Sequence, residues 1–424
     1  MTSRSSRICS RALGATLLAL LLVTPLHAQG LKIAVDNVGL GIGPVPEITG
    51  IRLNFRDDYR FERVNGLNAT IWSPRGDDID GVVNGIALGV PLTGAGEIRG
   101  FGIGVGVGAT DRFQGVGIGA LGIGAGDDLE GIMIGGVGAG TGGDIRGIAA
   151  GGVGIGAAGD VRGVMIGGVG AGAGGDIRGI AVGGVGVGAG GDLKGVVIGG
   201  VGAGAGSGGT GVIVGGLGAG VGDDMKGIVI GGVGAGAGSD MSGLIVGGVG
   251  AGAGGEFRGI AIGGVGVGAG EEFAGLAVGG AGVGAGEEFR GVALSAGGIG
   301  AGGDFTGLAI AGLGMGAGGH LKYVSIAGLG IGAPQITGLA AALGVGGEDI
   351  EGVVLAPAYF RVVEGGELRG FTLSAYNDIR GSQHGLAIGL INIAEELHGL
   401  QIGLINIARN KDTARVLPLF NYHR

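Results

Sequence analysis

A single cysteine, Cys9, stands in 424 residues. The chain therefore has no disulfide framework and no cysteine metal site. Aromatic residues make up only 4%, too few for the mixed core of an ordinary soluble enzyme. Proline is missing from residue 92 to residue 333, after Pro44, Pro46, Pro74 and Pro91 and before Pro334. A gap of that length suits a continuous hydrogen-bonded ladder, which proline would interrupt. Beyond the N-terminus no 18-residue stretch is both apolar and poor in glycine, so no segment is a candidate membrane helix. Basic charge is also scarce. The formal net charge is -9, a poor match to nucleic acid.

What the chain has instead is glycine, 118 residues of it. Each interior glycine weakens a helix by about 1 kcal/mol relative to alanine, so the expected class is all-β. Mean hydropathy is +0.55, which excludes a polar disordered tract. Residues 1–28 read as an export signal. Arg4, Arg7 and Arg11 form its positive region, Ala12 to Val23 its apolar region, and Leu26-His27-Ala28 a small-residue exit. Cleavage there removes Cys9 and three Arg but no acid, taking the charge from -9 to -12.

The chain is organised around a repeated unit, Gly179-Ile180-Ala181-Val182-Gly183-Gly184-Val185-Gly186-Val187-Gly188-Ala189-Gly190-Gly191-Asp192-Leu193-Lys194. From Gly115 to Gly307 the leading glycines recur every 16 residues without an insertion, the mark of a stack or meander of small units. Ile180 and Val182 alternate with Ala181, and Val185, Val187 and Ala189 alternate with glycine in the opposite phase. A bulge or corner at Gly183-Gly184 would absorb the slip and bring the larger side chains to one face, leaving glycine and alanine on the other. Charge gathers at the unit ends, at Asp160 and Arg162, Asp176 and Arg178, Asp192 and Lys194, Glu256 and Arg258, and Glu288 and Arg290. The expected organisation is a signal at 1–28, atypical repeats at 29–99, glycine-rich repeats at 100–338, and C-terminal variant repeats with a terminal cap at 339–424.

After Tyr323 the period shortens. Residues 385–398 form a fourteen-residue unit, and Gly399-Leu400-Gln401-Ile402-Gly403-Leu404-Ile405-Asn406 follows it, with Gln401 and Asn406 on the small face. These segments, their near copy at 385–392, the terminal Arg415-Val416-Leu417-Pro418-Leu419-Phe420-Asn421, and the G-I-R-L-N-F and N-G-L-N runs near the start resemble the bacterial surface-repeat proteins built from GLQIGLIN units. The resemblance covers the two ends, about a third of the chain. The glycine-rich centre departs from it by lacking the Gln and Asn. It implies an exported surface or outer-membrane protein and carries over no catalytic residue.

The chemistry-bearing patterns are weak. Gly170 to Gly175 matches G-x-G-x-x-G, but no helix can follow it and no Walker lysine is present. The Gly190-Gly191-Asp192 turns supply one acid per sixteen residues, followed by a cation, which is not calcium-repeat spacing. His384 and His398 occupy equivalent positions with no recurring third ligand. Ser295 lacks the first glycine of a nucleophile elbow. Phe257, Phe273, Phe289 and Phe305 either plug a small core or form a membrane-interface girdle. We expect no catalytic, cofactor-binding or metal-binding residue, no cofactor and no enzyme activity.

Two architectures fit the unit. The favoured one is an antiparallel meander closing as a membrane β-barrel, with the aliphatic face on outer-membrane lipid, charges at the two interfaces and scope for a pore. The alternative is a β-solenoid with Ile180, Val182, Val185, Val187 and Leu193 stacked inward, serving as a secreted adhesive or surface-binding scaffold. Its Asp144, Asp160, Asp176 and Asp192 would lie roughly 5 Å apart, each pair repelling by about 1 kcal/mol in water. Processing checks the export reading: N-terminal sequencing of the exported protein is expected to begin at Gln29, and retention of Met1 would overturn it.

Overall fold

The computed structural model describes residues 30–75 and 79–424. The expected export signal at 1–28 therefore lies outside the described residues. Contacts divide the chain into two units, one ending at Gly152 and the other starting at Val153. Both are β-solenoids, and no helix occurs among the described residues.

One coil of the second unit shows the construction. A seven-residue strand, Leu193–Gly199, is followed by a corner at 200–201, a four-residue strand, Gly202–Ala205, and a second corner at 206–208. Leu193–Gly199 pairs in parallel with Ile177–Gly183 on one side and with Gly209–Gly215 on the other. Gly202–Ala205 likewise pairs in parallel with Gly186–Ala189. Every residue thus sits beside its counterpart sixteen positions away. This corrects the favoured expectation: an antiparallel meander and a membrane barrel require neighbouring strands to run in opposite directions, and these coils are parallel. The alternative solenoid is the architecture.

A corner occurs one residue later than expected, at Gly184-Val185, and the side chains do not face as expected. Ile177, Ala181, Val187 and Ala189 are buried in the coil, whereas Ile180 and Val185 are 45% and 50% exposed. The corner turns the chain through a real bend instead of absorbing a phase slip, so on the long strand Ile177 and Ala181 face in while Ile180 and Val182 face out. Only Val187 and Leu193 of the five expected inward residues are buried.

Such a thin core is filled by matching sizes across it. Where the first inward position holds Phe257, Phe273, Phe289 or Phe305, the inward position four residues later holds Ala261, Ala277, Ala293 or Ala309, all 0% exposed. Where the first shrinks to Gly209, the second grows to Ile213, and Val221 and the Met225 sulfur close the remaining space. In these coils a large first residue goes with a small second one and the reverse, as a close-packed interior favours. The four phenylalanine rings stack at 4.7 Å between centroids, which identifies them as core plugs and not as a girdle.

In the first unit the leading glycines keep register at Gly50, Gly66, Gly85, Gly100, Gly115 and Gly131 while the interval varies. Leu31–Val35 closes its start as an antiparallel hairpin with Val38–Ile42, through Asp36 and Asn37 at positive φ, the conformation of a tight two-residue turn. In the second unit Val416–His423 folds back antiparallel on Ile391–Ala408. Lys32 and Pro418 lie on these terminal strands, where a charge and a missing donor blunt an open edge.

A leading glycine in the regular coils leaves no space for a side chain. Gly195 has φ +132, and a Cβ there would fall on the Gly179 carbonyl oxygen, far inside van der Waals contact. A Cβ at Gly188 meets nothing within 4 Å, while one at Gly190 strikes the Gly174 carbonyl. Gly188 is thus dispensable, and Gly190 is not. Gly195→Ala is expected to lower stability by at least 1–3 kcal/mol, with Gly188→Ala within about 0.5 kcal/mol of the parent. Denaturant midpoints decide it, and equal midpoints for the two variants would refute this assignment of the glycines.

Candidate interaction surface

The outer surface of the second unit is set by which long-strand residues point away from the core. Two outward columns are aliphatic. One contains Val164, Ile180 and Val196, the other Ile166, Val182 and Ile198, and each continues through successive coils in register. A third column runs along the corner through Val153, Val169, Val185, Val201, Leu217, Val233, Val249 and Val265, each 44–56% exposed. The short strand presents outward only glycines such as Gly186 and Gly188. Bare glycine therefore covers one side, as expected for a solenoid, and an unpaired aliphatic comb covers another.

The opposite corner carries the charges, and its acids have a structural use that the spacing alone did not reveal. Oδ1 of Asp160 accepts the backbone N–H of Asp176 at 3.0 Å, Oδ1 of Asp176 accepts that of Asp192 at 2.8 Å, and Oδ1 of Asp192 accepts that of Gly208 at 3.2 Å. The second oxygen takes the cation two residues on: Arg178 donates to Asp176 Oδ2 at 2.7 Å and Lys194 to Asp192 Oδ2 at 2.9 Å. The column expected to repel itself is thus tied from coil to coil by hydrogen bonds and neutralised within each coil. The Asp176 N–H holds the Asp160 carboxyl below the usual carboxylate range, Lys194 does the same for Asp192, and the His320 N–H for Asp304.

The other sequence features fall as follows. Gly170–Ala173 is a short strand entering a corner, so its glycines cradle no phosphate-binding helix. Ser295 is 7% exposed, and its hydroxyl accepts the Gly297 N–H at 3.1 Å, a corner tie. His384 and His398 lie on strands and not in turns, with rings stacked at 4.8 Å. His384 also sits 3.2 Å from Glu367, whose carboxyl is held low by Arg369 and then by His384. Nearby, His320, Gln335, Thr337, Asp349 and Glu351 border a cleft of about 290 Å³. Burial and then Lys322 lower the His320 imidazole. Among the described residues no group of three or more His, Cys, Asp or Glu is arranged to hold a metal ion.

Buried polar clusters near the chain ends were missed. Gln401 and Asn406 do occupy the small face, but that face is the interior, where both are 0% exposed. Asn377 donates to Asn392 at 2.6 Å and Asn392 to Asn406 at 2.7 Å, while Gln401 donates to Gln383 at 3.0 Å. In the first unit Arg52 and Asp57 form a buried ion pair, and Asn54 and Asn68 donate to the same carboxylate. The Asn and Gln of the terminal repeats were the signal for these amide ladders. Nothing in the spacing marked Arg52 as internal.

No protein-family model, curated protein or solved structure matches this chain.

The carboxylate ties make stability depend on pH. Asp160, Asp192 and Asp304 bind protons less readily folded than unfolded. Their contribution is therefore complete above the unfolded carboxylate pKa near 4 and is lost as pH falls through the lower folded values. Melting temperature is expected to drop below about pH 4. At pH 7 Asp176→Ala should remove about 1 kcal/mol, and Asp176→Asn, which keeps an acceptor for the Asp192 N–H, should remove less. Equal losses for the two variants would assign the role to charge pairing alone.

Proposed function

We propose that this chain is an exported, non-catalytic scaffold of the cell surface that works by contact along its aliphatic face. The observation that carries the reading is the comb of Val, Leu and Ile over successive coils, with the corner column alone 44–56% exposed from Val153 to Val265. Soluble monomers rarely expose contiguous apolar patches beyond a few hundred Å², and a partner surface accounts for this one. The coil interior is filled by Leu193, Val197 and Ala203, so contact, and not conduction through a lumen, is the available action. The export signal and the resemblance of the chain ends to bacterial surface-repeat proteins support a surface location. Outer-membrane lipid is the first partner surface to test.

Single cysteines at Asp160, Asp176, Asp192 and Asp224 occupy equivalent corners. On intact cells all four are expected to react with a membrane-impermeant thiol reagent. Complete protection until the cells are broken would overturn surface display.

A further inference from the structure

One outward column is more regular than apolar exposure alone requires. It reads Ile166, Val182, Ile198, Val214, Ile230, Val246, Ile262, Val278, each in register with the next. Isoleucine and valine alternate through eight coils. The four isoleucines are 38–47% exposed, and the four valines are half-buried. Coils lie about 4.8 Å apart, so the face carries an isoleucine ridge roughly every 10 Å with a valine notch between ridges.

We propose that the partner of this face is a second copy of the chain, packed antiparallel about a two-fold axis that passes between the coils of Val214 and Ile230. The inference rests on the reading of this face as a contact surface. A two-fold axis in the interface and perpendicular to the solenoid reverses the coil order and leaves each column facing itself. Centred between two coils, it sets Ile230 against Val214, Ile262 against Val182, Ile198 against Val246 and Ile166 against Val278 of the other copy. Within this column every ridge then meets a notch, while in the neighbouring column Ile180 meets Ile260 and Val212 meets Ile228. A parallel two-fold pair would set isoleucine against isoleucine and hold the faces apart. Interdigitated columns at the coil spacing are the packing of dry sheet-to-sheet interfaces.

The size is adequate. Eight coils span roughly 40 Å, and the strip from the Ile180 column to the Val185 column is about 16 Å wide, on the order of 600 Å². Over both copies that is about 1,200 Å², the lower end of the range for specific, stable interfaces. Both copies are acidic, so association is expected to strengthen with added salt as repulsion is screened.

The test uses the chain with Cys9→Ser. Sedimentation equilibrium is expected to show a dimer. Changing Ile166, Ile198, Ile230 and Ile262 together to Val flattens the column, and changing Val182, Val214, Val246 and Val278 together to Ile fills its notches. Both variants should dissociate at least ten-fold more readily, with circular dichroism unchanged because every altered side chain points outward. Tighter association of the all-isoleucine variant would show that area alone drives pairing and would overturn the ridge-in-notch geometry. Orientation is read with a short bifunctional thiol reagent. Ile166→Cys or Val278→Cys alone should not cross-link, whereas their mixture should, because the two-fold brings these positions together and leaves each seven coils from its own mate; cross-linking of each alone would mean a parallel pair. A monomer that binds vesicles of outer-membrane lipid sinks the second copy and leaves the contact reading standing. A monomer that binds neither sinks both.

Discussion

Each coil depends on how closely its backbone can approach the one before it, and a column of glycines sets that distance. At Gly179, Gly195, Gly211 and their counterparts φ lies near +130, and the Cα sits against the carbonyl oxygen of the preceding coil. Only a residue without a Cβ reaches that conformation and fits that space. The sixteen-residue glycine is therefore a covalent condition of the ladder. The place where it fails is informative. Tyr323 takes the position with φ 85, and from its coil to the next the interval falls from sixteen residues to fifteen.

A coil of two short strands encloses little volume. Core positions therefore trade size in pairs, Phe257 with Ala261 and Gly209 with Ile213, and the remaining larger aliphatics have no room inside. They go outward, where Ile180 and Val185 stay half exposed. The apolar outer face is thus a consequence of the narrow core. Near the chain ends the interior changes character. Amide ladders through Asn377, Asn392 and Asn406 replace aliphatic packing, each donor meeting the acceptor of the next coil, as burial of an amide requires.

The charged corner obeys the same stacking. An identical acid in every coil would repel its neighbours if the carboxylates were merely adjacent. Here one oxygen of Asp176 binds the next coil's N–H and the other its own coil's Arg178, so the column closes backbone donors that the corner leaves free.

The sequence by itself determined the all-β class, the sixteen-residue period, a corner at Gly190-Gly191 and another within one residue of Gly183-Gly184, and the shortening after Tyr323. These follow from local residue preferences and from strict repetition, which places like beside like in any stacking. Tertiary structure decided the direction of the strands and the facing of the side chains. A sixteen-residue unit can be one long strand with a turn or two short strands in a coil, and the choice lies in whether the chain bends at 184–185. The alternation of Ile180 and Val182 with Ala181 shows that two faces differ without showing which is inside. That depended on the volume within a closed coil, which exists only once the coils have stacked.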